Sequence, residues 1–202
     1  MPTRRRLTPD QRREQLLEVG ATLFAELPYE QVQMDQVAAR AGVSRALLYR
    51  HFPGKRDLFA AVYRQAADRL LVASELDPAD PFPTQLAMGL DAHIDYFAAN
   101  RNTVLAANRT LAGDPVIQAI ISEEMAVLRD RLLASAAPQG APRRPLPSVL
   151  LSWLVFVQVM SLEWLERQDF SRAELRDTCI GALLGALGEP DPSRRHPPDG
   201  DR

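Results

Sequence analysis

The segment at residues 32–58, VQMDQVAARAGVSRALLYRHFPGKRDL, constrains the fold more than any other part of the chain. Two short apolar stripes at helical spacing are joined by Gly42-Val43-Ser44. The glycine suits the left-handed residue that ends one helix, and the serine suits the cap that starts the next. Ala38 is small enough for a close helix crossing, and Val37, Val43 and Leu48 supply buried anchors. Two short helices on a tight glycine turn predict a helix-turn-helix at residues 33–52.

Helical periodicity extends over the rest of the chain. Thr8-Pro9-Asp10-Gln11 reads as a capping box with proline at the first helical position. Leu16, Leu17, Gly20, Leu23, Phe24 and Leu27 then form one face, and Pro28 stops the helix. Helices are expected at about 34–41, 45–52 and from 55 towards 77, then at 84–99, 102–111, 114–136, 147–167 and 171–187. No convincing alternating strand pattern is present, and no Asn-Gly or Asp-Gly pair joins two strand-like runs. The expected fold is all-α with about nine helices. Residues 10–70 are expected to form a head that holds the helix-turn-helix, residues 71–188 a larger helical body, and residues 189–202 a disordered tail. The Pro/Arg/Gly-rich stretch at 138–147 is expected to be a loop.

Charge separates the two parts. Residues 1–56 carry ten basic against six acidic side chains, net +4, and the rest carries 14 against 20, net −6. A basic head on an acidic body predicts that only the head meets a polyanion. Cys179 is the only cysteine, and His51, His93 and His196 are the only histidines. That argues against an intrachain disulfide or a metal cage, and no cofactor is expected. The basic residues 1–6 lack a following apolar run, so no signal peptide is predicted. The apolar stretch at 149–165 is broken by Ser152, Gln158, Ser161 and Glu163 and falls short of the ~20 residues of a membrane span. The chain reads as cytoplasmic, without a membrane partner.

Ala41-Gly42-Val43-Ser44, then Leu48-Tyr49-Arg50-His51-Phe52 and Lys55-x-x-Leu58, with Leu23-Phe24 and Tyr29 upstream, resemble the signature of the TetR family of transcriptional regulators. The likeness covers about residues 10–70; beyond them it rests on length and helix count. Two positions depart from the family pattern: Pro28 stands where glycine is usual, and Val32-Gln33 stand where a threonine usually opens the second helix. That helix is therefore expected to lack a good cap, at a cost of roughly 1 kcal/mol.

The resemblance implies a recognition helix at 45–52, with Arg45, Ala46 and Leu47 approaching base edges and Ser44, Tyr49, His51 and Lys55 at phosphates. Arginine can donate in bidentate fashion to guanine O6 and N7. Leu47 can equally be core or meet a thymine methyl. The start of the fourth helix at Lys55 also favours an anion through its free N–H groups. Arg4, Arg5 and Arg6 are either disordered or a minor-groove arm. The resemblance further implies a homodimer through the last two long helices. Trp164 and the small-residue stripe Gly181, Ala182, Gly185 and Ala186 are its candidate interface. The 147–167 helix is apolar on nearly every side, so it should be buried on all of them.

The implied activity is repression, relieved when a small hydrophobic or aromatic effector releases the dimer from a near-palindromic operator in double-stranded DNA. Candidate effector contacts are His93, Phe97, Asn108, Trp153, Phe156, Gln158 and Met160, although the same stripes can be ordinary core. An enzyme reading would need a base at His93 with Asp91 or Asp95, but residues two apart on a helix do not share a face. Gly-rich phosphate loops, nucleophile elbows and metal clusters are missing from the sequence. The alternative is a helical protein-interaction module without DNA binding, which leaves the basic head unexplained.

Overall fold

A computed structural model describes residues 7–73, 79–136 and 145–187. The described residues are helical throughout: α1 (Pro9–Glu26), α2 (Met34–Arg40), α3 (Arg45–His51), α4 (Lys55–Ala73), α5 (Phe82–Ala99), α6 (Arg101–Leu105), α7 (Pro115–Ala136), α8 (Leu146–Arg167) and α9 (Arg172–Leu187). A 3-10 turn at Tyr29–Gln31 and a π-helical turn at Ala106–Thr110 complete them. The chain divides into two compact units. The first comprises residues up to 73 and 96–124; the second comprises 74–95 and 125 onward.

In the first unit, α1 starts as its sequence demands. The Thr8 hydroxyl accepts from the Gln11 N–H, and the Gln11 side chain accepts from the Thr8 N–H at 3.0 Å. Leu16, Leu17, Leu23 and Phe24 are buried against α4, whose Leu58 and Phe59 are fully enclosed. Gly20 permits this approach, because a Cβ there would lie 3.2 Å from the Leu58 side chain. Phe59 meets the edge of Phe24 and lies close to Tyr29 and Tyr63, so an aromatic cluster packs where α1, the 3-10 turn and α4 meet.

Two expectations change. Residues 102–111 do not make one α-helix. The α-helical turn of α6 widens into the π turn, where the Leu111 N–H reaches the Ala106 carbonyl five residues back at 2.8 Å. Periodicity at 3.6 cannot reveal one inserted residue in so short a stretch. The start of α2 is also better supported than expected, because the Gln36 amide oxygen accepts from the Gln33 N–H at 2.9 Å. Glutamine three residues into the helix supplies the returning half of a capping box.

In the second unit, Phe82, Leu86, Leu90 and Ile94 of α5 join Leu132 of α7, Leu150, Trp153 and Val157 of α8, and Leu175, Cys179 and Leu183 of α9 in one core. Arg172 of α9 holds Asp91 and Asp95 of α5, both at 2.7 Å. α8 is not buried on all sides: Leu151, Val155, Phe156 and Val159 are 39%, 44%, 36% and 51% exposed. Its 22 residues also exceed the expected apolar stretch, since the helix runs on to Leu146 and Arg167. Among the described residues it is the one helix long and apolar enough to cross a membrane by length and composition. The expected tail, most of the 138–147 loop and Arg4 to Arg6 lie outside the described residues.

Candidate nucleic-acid interface

The head is assembled around the turn between α2 and α3. Gly42 adopts φ 64°, the left-handed region that penalises any side chain. The Val43 N–H reaches the Ala38 carbonyl at 3.0 Å and the Gly42 N–H the Ala39 carbonyl at 3.1 Å. These two bonds are a Schellman termination, which satisfies carbonyls that the end of α2 would leave open. The Gln15 amide of α1 donates to the Ala41 carbonyl at 3.1 Å and anchors the turn. Ser44 then caps α3, its hydroxyl accepting from the Leu47 N–H at 3.2 Å.

α3 is seven residues long and buries little. Leu48 is fully enclosed and Phe52, just past the helix, is nearly so; Leu47 is half-buried. Arg45, Ala46, Tyr49 and Arg50 are exposed. At spacings of one, four and five residues they share one solvent-facing side of the helix. Arg50 was not among the expected contacts. Its place four residues after Ala46 was the signal that would have found it.

The expected phosphate contacts divide. Ser44 and Tyr49 are exposed. Lys55 lies partly buried at the start of α4, where its Nζ donates to the Tyr29 carbonyl at 2.9 Å and the Glu30 carbonyl at 3.3 Å, and sits 4.5 Å from the centre of the Tyr29 ring. An ammonium has three donors, so this arrangement leaves one N–H while it pins the 3-10 turn. His51 is half-buried, and its Nε2 is enclosed without a hydrogen-bond partner.

Polar ties link the head to the α6–α7 region inside the same unit. Asn102 donates to the Ala25 carbonyl at 2.9 Å, and Thr110 of the π turn donates to Glu30 at 2.9 Å. Arg56 clamps Asp114 with two nitrogens, one at 2.9 Å, and holds that carboxyl down to about 2. Asp114 also accepts from the N–H groups of Val116 and Ile117 and so caps α7. In the same unit, burial pushes the Glu124 carboxyl up to about 7, and the nearby Asp68 charge adds to the shift. Burial also raises the Tyr63 and Tyr96 phenols, with the Glu124 charge as a second cause.

The seven residues expected to line one effector pocket are divided between the units. Phe97 and Asn108 belong to the first, and Asn108 donates to the Val104 carbonyl at 2.9 Å. His93, Trp153, Phe156, Gln158 and Met160 belong to the second. There Trp153 is core, its indole N–H donating to the Cys179 carbonyl at 2.7 Å, whereas Phe156 is exposed. The His93 Nε2 lies 3.3 Å from the Ser161 hydroxyl, and burial holds the imidazole down to about 4. Ser161, fully enclosed, is a polar group the sequence reading passed over. Of the expected interface residues, Gly181, Ala182, Gly185 and Ala186 are exposed along α9, whereas Trp164 packs against its own core.

Comparison with known proteins agrees with this head. Residues 16–62 match the model of the family described as bacterial regulatory proteins, tetR family. The transcriptional activator FasR of Mycolicibacterium smegmatis is 42% identical over 66 residues, which are 33% of this chain and 30% of FasR. The chain spans between 30% and 53% of the length of the first curated relatives it matches. A TetR-family regulator from Streptomyces coelicolor superposes with a TM-score of 0.80 at 24% identity, over 90% of this chain and 82% of that one. FadR of Bacillus subtilis, solved in complex with stearoyl-CoA, gives a TM-score of 0.69 at 17% identity, over 85% and 97%. Both likenesses establish the all-helical fold beyond the head. With its capped α2–α3 turn and the family match across α1 to α4, the segment at residues 16–62 is a DNA-binding head of the tetR type.

Proposed function

We propose that this chain is a dimeric, DNA-binding transcriptional repressor released from its operator by a small, mainly apolar effector. The observation that carries the reading is the exposed side of α3. A helix of seven residues presents Arg45, Ala46, Tyr49 and Arg50 to solvent while Leu48 alone roots it fully in the core. A helix so short and so polar on its outer side gains little by packing; its shape and charge suit the major groove. Arg45, Ala46 and Leu47 read bases, and Ser44, Tyr49, Lys55 and, once its ring nitrogen is uncovered, His51 meet phosphates. Arg50 joins the phosphate set.

Twofold pairing presents two such helices ~34–36 Å apart, one helical turn of DNA. The exposed Leu151, Val155, Phe156 and Val159 of α8, with the small residues of α9, form the surface that a second copy covers. A Cβ at Gly181 or Gly185 would meet nothing within 4 Å, so another helix can come close there. The effector binds in the helical body; within the second unit His93, Ser161 and Gln158 offer polar groups to orient it beside the apolar Trp153 and Met160. The complex of FadR with stearoyl-CoA supports an acyl chain as one class of apolar effector. Binding shifts the population away from the DNA-competent form. Such a regulator acts in the cytoplasm.

Selection from a random duplex library, followed by mobility-shift titration at several salt concentrations, tests the reading. A near-palindromic site is expected, with affinity falling steeply as salt rises. Indifferent binding to all duplexes would overturn it. A thermal-shift screen of acyl thioesters and aromatic compounds tests the sensor half, and a DNA complex that survives every stabilising compound would remove it.

A further inference from the structure

An acidic side chain stands where a DNA-facing surface should have none. Asp35 lies in the first turn of α2, is exposed, and places its Oδ1 2.9 Å from Nε of Arg45, the first residue of α3. Both partners face solvent, at 58% and 66% side-chain exposure. A carboxylate there repels the phosphates that the rest of the head attracts. Its position in the first turn favours the start of α2 through the helix dipole, but that benefit requires no arginine partner.

We propose that Asp35 is a specificity-determining positioning residue, which holds Arg45 by its Nε so that the two terminal nitrogens face a guanine. The inference rests on the proposed DNA-binding role of α3. Guanidinium carries five N–H donors in a rigid plane, one on Nε and four on the terminal nitrogens. The Asp35 carboxylate lies beside the Nε side of the fork as an exposed ion pair. The free end of the fork has the spacing of guanine O6 and N7. An unheld arginine at the first position of a helix explores many rotamers and finds phosphates as readily as bases. An ion pair at Nε biases those rotamers toward Asp35 and keeps the charge off the backbone. Asp35 thus exchanges general affinity for base discrimination, and it does so without touching DNA.

The two contributions have opposite signs, which separates positioning from a structural role. Selection and mobility-shift titration are run on the full chain as wild type, Asp35→Ala, Arg45→Ala and the double variant. The wild type should prefer a guanine that Arg45→Ala no longer distinguishes. Asp35→Ala should lower that preference about twofold to fivefold, the range of an exposed ion pair, while binding to unrelated duplexes strengthens. In the Arg45→Ala background, removing Asp35 should change no base preference. Asp35→Glu should recover part of the lost preference.

An unchanged preference in Asp35→Ala overturns the inference, as does a loss that persists without Arg45. Equal weakening on all duplexes with a lowered melting temperature also overturns it, leaving Asp35 as a helix-start residue only. A wild type that prefers its site with or without Arg45 overturns it while the DNA-binding reading stands. A wild type with no preferred site removes both, and that result appears before any variant is made.

Discussion

The outward side of α3 and the outward side of α8 are opposite kinds of surface. α3 presents arginine, tyrosine and alanine on a helix of seven residues rooted by Leu48. α8 presents leucine, two valines and phenylalanine on a helix of 22 residues with six enclosed side chains beneath. Water solvates the first surface well, so its exposure costs nothing and a partner must compete with solvent by charge and shape. Water solvates the second poorly, so a partner gains simply by covering it. The difference predicts that α3 binds reversibly and with salt sensitivity, whereas α8 is covered permanently. It also explains why few residues suffice for recognition while many are needed for assembly.

The largest expected effect lies on α8. Replacing Val155 and Val159 together by glutamate puts two carboxylates into the proposed subunit contact and should weaken dimerisation roughly a thousandfold. Sedimentation over a concentration series reads it. A wild type that sediments as a single subunit at micromolar concentration would erase the contrast between the two surfaces. Next comes the root of α3: Leu48→Ala should cost about 2–5 kcal/mol in urea unfolding and abolish DNA binding with it. Fully exposed positions on the same helix should leave stability almost unchanged.

A pH effect of intermediate size distinguishes the interiors. Glu124 has a folded value near 7 against an ordinary 4.5. Its contribution favours the folded state below 4.5 and is lost as pH rises through about 7, a loss on the order of 2–3 kcal/mol. Glu124→Gln should therefore stabilise the protein at pH 8 and leave it unchanged at pH 4. His93 works in the other direction: with its folded value near 4 against 6.5, its contribution is present above 6.5 and is lost as pH falls through about 4. Thermal melts across pH 4 to 8 read both.

The smallest effect sharpens the charge side of the comparison. Lys55→Ala should weaken binding to all duplexes alike and flatten the salt slope by about one unit. Because the ammonium also serves the Tyr29 and Glu30 carbonyls, the variant should lose about 1 kcal/mol of stability. A loss of stability without any change of salt slope would make Lys55 a purely internal tie.

The head was legible because its signals are local. Thr8-Pro9-Asp10-Gln11 announced one helix start, and Gly42-Val43-Ser44 announced a stop and a second start within three residues. The polar side of α3 then follows from 3.6-residue spacing, and Arg50 was within reach of the same rule. The body was less legible because its signals concern partners. Trp153, Phe156, Met160 and Trp164 share one line in the sequence, yet Trp153 is core and Phe156 is exposed. Which part of a wide apolar helix faces inward is set by where α5 and α9 lie, and periodicity carries no information on that. The π turn at Ala106–Thr110 escaped notice for a related reason: one residue more per turn leaves no distinct pattern in five residues.

By itself the sequence determined the helical class and the helix-turn-helix of the head, since caps, a left-handed glycine and short apolar stripes act over a few residues along the chain. Only the tertiary structure decided that Asp35 meets Arg45, that Lys55 is spent partly on the carbonyls of Tyr29 and Glu30, and that His93 pairs with Ser161. Those pairings join residues 10, 25 to 26 and 68 positions apart. Distances across the chain depend on how whole helices cross, and no local preference encodes that crossing.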